Sequence, residues 1–256
     1  MMDNRDLLRI ENVDKHFGGV HAVAGFSAQV GPGQTVGLIG PNGSGKTTVF
    51  NLVTGIIPVD DGSVRFLGTD ITSWKPHAIV RAGVGRTFQN IRLFHGLDVI
   101  DNVKAALCGG ESYGFAAALL RTPRARRVER QLTEKARDLL EQVDMLHLAE
   151  ERPQNLPYGL QRRLEMARAL ATSPRLLLLD EPAAGLNPSE VVAIVDLICR
   201  VRDRVGLAIF LIEHHMDVVM PICDEVYVLN MGRTIAHGTP REVQNDPAVL
   251  RAYLGE

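Results

Sequence analysis

The sequence predicts an α/β fold: a parallel sheet, an antiparallel β-subdomain ahead of it and a helical insertion within it. Three stretches carry this reading. Gly40-Pro41-Asn42-Gly43-Ser44-Gly45-Lys46-Thr47 fits Gly-x4-Gly-Lys-Ser/Thr and joins a strand-like run at 35–39 to a helix-like run at 48–53. Arg175-Leu176-Leu177-Leu178-Leu179-Asp180-Glu181 is an unbroken apolar run ending in two carboxylates, the pattern of a central parallel strand buried on both faces. Between them, residues 98–172 lose every strand signal.

In chain order, residues 7–30 read as two antiparallel strands around the turn His16-Phe17-Gly18-Gly19-Val20. Phe17 has two readings: core packing, or a loop aromatic that stacks on a purine ring. The glycines after the strand at 35–39 let successive N–H groups point at phosphate oxygens, and the following helix presents its positive end to the same anion. Lys46 reaches the outer phosphates and the Thr47 hydroxyl can ligate Mg²⁺. A strand at 63–68, a helix at 74–81 and a short strand at 83–88 follow, then Gln89, whose carbonyl oxygen suits Mg²⁺ or water. On its own, a glutamine at a strand end reads as solvated.

The insertion begins with a helix at 99–107 and breaks at Gly109-Gly110. An apolar stretch at 115–120 precedes a basic run at 121–127, expected to be a solvated loop rather than a lipid contact. Val128, Leu132, Ala136, Leu139, Leu140 and Val143 then share one face of a helix. Leu156-Pro157-Tyr158-Gly159-Leu160-Gln161 precedes a helix expected at 162–171. Beyond the two carboxylates come a loop at 183–188, a helix to 205 and a strand at 207–212 that ends in Glu213-His214-His215. Asp180 and Glu181 therefore stand at the carboxyl edge of the sheet, where α/β folds bind ligands. The Mg²⁺ of a phosphate loop needs such an acidic partner. A short helix at 216–220, a strand pair at 224–230 and 233–237 and a helical tail at 240–253 close the chain.

At 256 residues with 45% apolar and 23% charged residues, the composition is that of a globular protein. The net charge of −2 argues against nucleic-acid binding. Cys108, Cys199 and Cys223 are widely spaced and read as buried thiols of a reducing compartment. No stretch reads as a signal peptide or approaches the roughly 20 apolar residues that span a bilayer. Work at a membrane requires a partner that holds the chain there.

Taken together and in this order, these stretches resemble the ATP-binding subunit of ABC transporters over nearly the whole length. Arg86-Thr87-Phe88-Gln89-Asn90-Ile91-Arg92-Leu93-Phe94, Tyr158-Gly159 with Gln161-Arg162-Arg163-Leu164-Glu165, Ile212-Glu213-His214 and the C-terminal stretch resemble the ATPases of bacterial branched-chain amino acid importers. The resemblance implies a P-loop NTPase (RecA-like) core at 1–97 and 173–256, with an α-helical signature subdomain at 98–172. It implies ATP and Mg²⁺ as ligands. Phe17 is then the aromatic that stacks on adenine, and Gly40, Pro41, Asn42, Gly43, Ser44, Gly45, Lys46, Thr47 and Thr48 form the Walker A loop. Gln89 is the glutamine linking the metal site to the permease, Asp180 the metal carboxylate, Glu181 the general base and His214 the switch histidine at the γ-phosphate. Metal contacts fall to Thr47, Gln89 and Asp180, and charge at the transferred phosphate to Lys46 and His214. Asn187 stands where Asp is more usual, and His215 where the importer pattern tends to have Asp.

The signature Leu-Ser-Gly-Gly-Gln appears here as Leu156, Pro157, Tyr158, Gly159 and Leu160, followed by Gln161. Pro157 replaces a serine that reaches the partner's γ-phosphate, so the half-site this chain lends its partner is expected to be weak. The implied partners are a second ATPase subunit, as homo- or heterodimer, two permease subunits met near residues 89–96, and indirectly a periplasmic binding protein. The implied location is the cytoplasmic face of the inner membrane. Import of urea or short amides, a soluble ABC ATPase and a weakly hydrolysing regulatory subunit are the alternatives.

Overall fold

The computed structural model describes residues 6–108 and 123–254, which fall into two compact units: residues up to Arg86 with those from Arg175 onward, and Thr87–Pro174. The first unit holds two sheets. Strand β1 (Leu8–Phe17) pairs antiparallel with β2 (Val20–Val30) and β4 (Asp61–Phe66), and β5 (Thr69–Asp70) completes the order β2-β1-β4-β5. Its inward side chains alternate, with Leu8, Ile10 and Val13 on β1 and Phe26, Ala28 and Val30 on β2 all buried.

The second sheet runs β10-β9-β3-β8-β7-β6, from β3 (Thr35–Ile39), β6 (Val84–Arg86), β7 (Leu176–Asp180), β8 (Ala208–Ile212), β9 (Glu225–Asn230) and β10 (Arg233–Gly238). It is parallel except for the β9–β10 hairpin. Every residue of β3, β7 and β8 is buried, which is why these strands read as apolar runs without alternation. Leu38 of β3 and Asp180 of β7 both face Ile212 of β8 in the register. Three strands therefore end level, and the residues that follow them share one edge.

Among the described residues the helices are α1 (Lys46–Val53), α2 (Pro76–Ala82), α3 (Val99–Leu107), α4 (Pro123–Gln142), α5 (Tyr158–Leu170), α6 (Pro188–Val205), α7 (Met216–Ile222), α8 (Pro240–Gln244) and α9 (Pro247–Leu254). In the first unit Phe50, Leu52 and Val53 of α1 pack in one core with Phe26, Phe66 and Phe210. The Phe50 and Phe210 ring centroids lie 5.1 Å apart. The tail expected as one helix is two, because Pro247 lacks an N–H and disfavours helical backbone at Asp246.

In the second unit α4 buries Leu132, Ala136 and Leu140 along the expected face, with Val143 just beyond it. The basic run divides: 123–127 form the first turns of α4 rather than a loop, since Pro at a helix start forfeits no hydrogen bond. Residues 121–122 and the apolar stretch at 115–120 lie outside the described residues. The strand expected at 83–88 stops at Arg86. Only Cys223 is buried; Cys199 is half-buried and Cys108 exposed.

Candidate active site

The loop between β3 and α1 is held by backbone on two sides. Gly40 has φ +149°, and a Cβ there would lie 2.0 Å from the Leu229 carbonyl oxygen. Gly45, at φ +107°, would place one 2.4 Å from that of Ala22. Only glycine permits this approach. The Gly232 N–H donates to the Ser44 carbonyl at 2.9 Å. Lys46 Nζ lies inside the loop and donates to the carbonyls of Gly40 and Pro41 at 2.8 and 2.9 Å. Burial pulls its pKa below the ordinary lysine value, and the nearby Glu181 and Asp180 carboxylates partly offset that.

Helix α1 starts at an N-cap glycine with no side-chain cap and no acidic residue in its first turn. Its leading N–H groups are thus left for water or an anion. The Ser44 hydroxyl is buried with no hydrogen-bond partner among the described residues. Phe17 is 49% exposed at the β1–β2 turn, on the hairpin whose Ala22 abuts Gly45. It is available for stacking rather than used in the core.

The carboxyl edge carries the acidic groups. Asp180, 2% exposed at its side chain, ends β7, and its Oδ2 accepts from Arg86 Nη2 at 2.9 Å. Glu181 follows in left-handed backbone, φ +48°, its N–H donating to the Ile212 carbonyl at 3.0 Å. Such a conformation is costly for a non-glycine residue and is found where surroundings over-determine it, as at active sites. His214 Nδ1 stands 3.8 Å from Glu181 Oε1. Glu213, fully buried, accepts from the N–H groups of Ala183 (3.1 Å), His214 (2.9 Å) and His215 (3.3 Å), and so fixes the turn that presents the histidine.

A magnesium ion carried by a nucleotide suits this donor set: a buried carboxylate at Asp180 and the Thr47 hydroxyl on the first turn of α1, directly after the anion cradle. Lys46, Asp180, Glu181 and His214 are brought together in the first unit.

Gln89 and the signature residues belong to the second unit. There the signature does not precede a helix but starts one: α5 begins at Tyr158, with Pro157 as N-cap at φ −51°. The expected start at 162 is four residues late, because Pro157 supplies helical φ and its missing N–H costs nothing at a helix start. Gln161 Nε2 donates to the Leu156 carbonyl at 2.9 Å. Arg162, nearly buried, donates to the carbonyls of Phe88 and Gln89 at 3.0 and 2.7 Å and to Tyr158 Oη at 2.8 Å. It joins the Gln89 segment to the signature helix. Glu165, whose pKa burial pushes up, accepts from the Phe88 N–H at 3.2 Å.

Sequence reasoning assigned no role to Arg86, Arg162 or Glu213. Their one signal is position: Arg86 and Glu213 border strands of the parallel sheet, and Arg162 falls one helical turn after Tyr158.

A family described as "ABC transporter" matches residues 23–184, and one described as "Branched-chain amino acid ATP-binding cassette transporter" matches residues 233–256. The chain is 44% identical over 99% of both lengths to the high-affinity branched-chain amino acid transport ATP-binding protein BraF of Pseudomonas aeruginosa. It is 42% identical over 99% of both lengths to LivG of Escherichia coli K12, and 37% identical over 97% of both lengths to the lipopolysaccharide export system ATP-binding protein LptB of that strain. Among solved structures, a nucleotide-free ATP-binding cassette from an ABC transporter superposes with TM-score 0.86 at 32% identity, covering 98% of this chain and all of that one. An ATP-binding cassette in its ADP conformation gives 0.85 at 34% identity, with 98% and 99% covered. The chain belongs to the ABC transporter family of ATP-binding cassettes, on the branch of the branched-chain amino acid transport ATPases.

Proposed function

We propose that this ATPase powers uptake of branched-chain or related hydrophobic amino acids through a separate permease. It would work at the cytoplasmic face of the membrane, as one of two ATPase subunits joined to two permease subunits and served by a periplasmic binding protein. The observation that carries the catalytic part is the placement of Glu181 beside His214 at the edge shared with Asp180 and Lys46. The solute rests on the similarity to the BraF and LivG proteins.

In this reading Phe17 stacks on the adenine, and residues 40–48 hold the phosphates through backbone N–H groups and Lys46. Thr47 and Asp180 would hold the magnesium ion. When bound, the ion would neutralise the charge on the transferred phosphate. Glu181 accepts the proton of the attacking water, and His214 donates a hydrogen bond to the γ-phosphate. Leu156 to Gln161 face the partner's nucleotide. Phe94 is exposed and Leu93 buried, so the permease contact near residues 89–96 falls to Phe94.

The test is reconstitution with the permease pair in proteoliposomes. Glu181→Gln should lower kcat by about 10²–10⁴-fold with ATP binding kept, the range for loss of a positioned base. A parent already without turnover would favour a regulatory subunit, the reading that Pro157 supports. Uptake of urea or short amides, with none of leucine, would overturn the solute.

A further inference from the structure

Arg86 ends β6, the strand beside β7, and its side chain is 7% exposed. Nη2 donates to Asp180 Oδ2 at 2.9 Å, while Nη1 donates to Asn51 Oδ1 at 2.8 Å and to Thr54 Oγ1 at 3.0 Å. Its carbon Cζ lies 5.6 Å from the Phe50 ring centroid, and Thr54 Oγ1 in turn donates to the Phe50 carbonyl at 2.7 Å. One side chain therefore joins the end of β7 to the last turns of α1, the helix that carries Lys46 and Thr47.

Burying a carboxylate costs several kcal/mol unless a cation and hydrogen bonds compensate it. Among the described residues, Arg86 meets Asp180 by direct contact and Lys46 at longer range. Lys46 is committed to the loop carbonyls. Arg86 thus meets Asp180 directly, and its Nη1 is held by Asn51 on α1 and by Thr54 just beyond the end of that helix.

We propose that Arg86 is a positioning residue for the metal site: a built-in counter-ion that holds the Asp180 carboxylate in place and lowers the site's affinity for a free divalent cation. The site then takes its metal with the nucleotide, whose phosphates supply the negative charge that Arg86 cancels on Asp180. This rests on the reading of Asp180 as the metal carboxylate.

The experiment uses the full chain without nucleotide and Mn²⁺ as probe, followed by electron paramagnetic resonance, with thermal unfolding in parallel. Arg86→Met should lower the unfolding midpoint in the absence of metal. It should also raise the affinity for free Mn²⁺ by about tenfold or more, since a unit charge a few ångströms away has been removed. In Arg86→Met with Asp180→Asn, both effects should disappear, because no buried charge is left to compensate. Arg86→Gln removes the charge with less change in shape and carries the same measurements should the methionine variant not fold. A Mn²⁺ affinity unchanged in both single variants, or raised equally when Asp180 is also changed, would overturn the proposal. Asp180→Asn alone separates the two layers: if it leaves the Mg²⁺ dependence of ATP binding intact, the metal-carboxylate reading falls. If it weakens that dependence while the Arg86 variants bind Mn²⁺ like the parent, only the role of Arg86 falls.

Discussion

The loop glycines differ in what they tolerate. Gly43 has φ +78° but open space where a Cβ would point, whereas Gly45 at φ +107° would drive one into the Ala22 carbonyl. Gly43→Ala should therefore cost only the left-handed backbone term, about 1–2 kcal/mol. Gly45→Ala should cost clearly more, because backbone of β2 must move. Urea unfolding of the two variants measures the difference, and equal losses would show that the contact with β2 is yielding. Chemistry elsewhere follows burial in the same way: the Cys223 thiol is pushed up to about 12 by burial and is inert as a nucleophile. At this scale the sequence was informative where a residue type is dictated by geometry, as at Gly40 and Gly45. It was silent on Arg86, since nothing local distinguishes an arginine that ends a strand from a solvated one.

Helix α5 is the element where the departure from the family pattern has structural consequences. Pro157 occupies its N-cap, so no side-chain oxygen receives a first-turn N–H. A serine there would add a capping acceptor worth about 0.5–2 kcal/mol and, in the proposed function, a hydroxyl for the partner's nucleotide. Pro157→Ser with Leu160→Gln should raise both the unfolding midpoint of the chain and the ATPase rate of the assembled complex. A raised midpoint with an unchanged rate would confine the effect to the helix. The helix could be foreseen from its pattern but its start could not, because Tyr158-Gly159-Leu160 carries no start signal other than the proline. The amphipathic face of α4 was legible at Leu132, Ala136 and Leu140, which repeat at helical spacing, while the expected Val128 and Leu139 are half-buried and the buried Ala125 lies before the expected start.

For the molecule as a whole, the acid limb of stability draws on surface carboxyls of the first unit. The Asp60 carboxyl is held below its ordinary value of 3.8 by Lys15 and by the His16 N–H, and Asp70 by Thr72. Glu242 is held below 4.5 by the N–H and hydroxyl of Thr239. Each depressed carboxyl adds stability above its unfolded value, and that stability is lost as pH falls through the folded one. Glu165 works in the opposite sense: burial raises it, so its contribution is present below 4.5 and is lost as pH rises through the raised value. The unfolding midpoint should fall toward acid from roughly pH 5 downward, and Asp60→Asn should flatten that limb. An acid limb of unchanged slope in the variant would remove Asp60 from the account.

The sequence by itself determined the phosphate loop, the apolar central strands and the acidic end of β7, because each is encoded by neighbours within a few residues. Tertiary structure alone decided which side chains meet. Arg86 finds Asp180 across 94 residues, and Asn51 and Thr54 across 35 and 32. Tyr227 reaches the Gln29 N–H across 198. Parallel strands are joined by long crossovers, so their register, and with it the composition of the carboxyl edge, follows from packing between layers rather than from any local pattern.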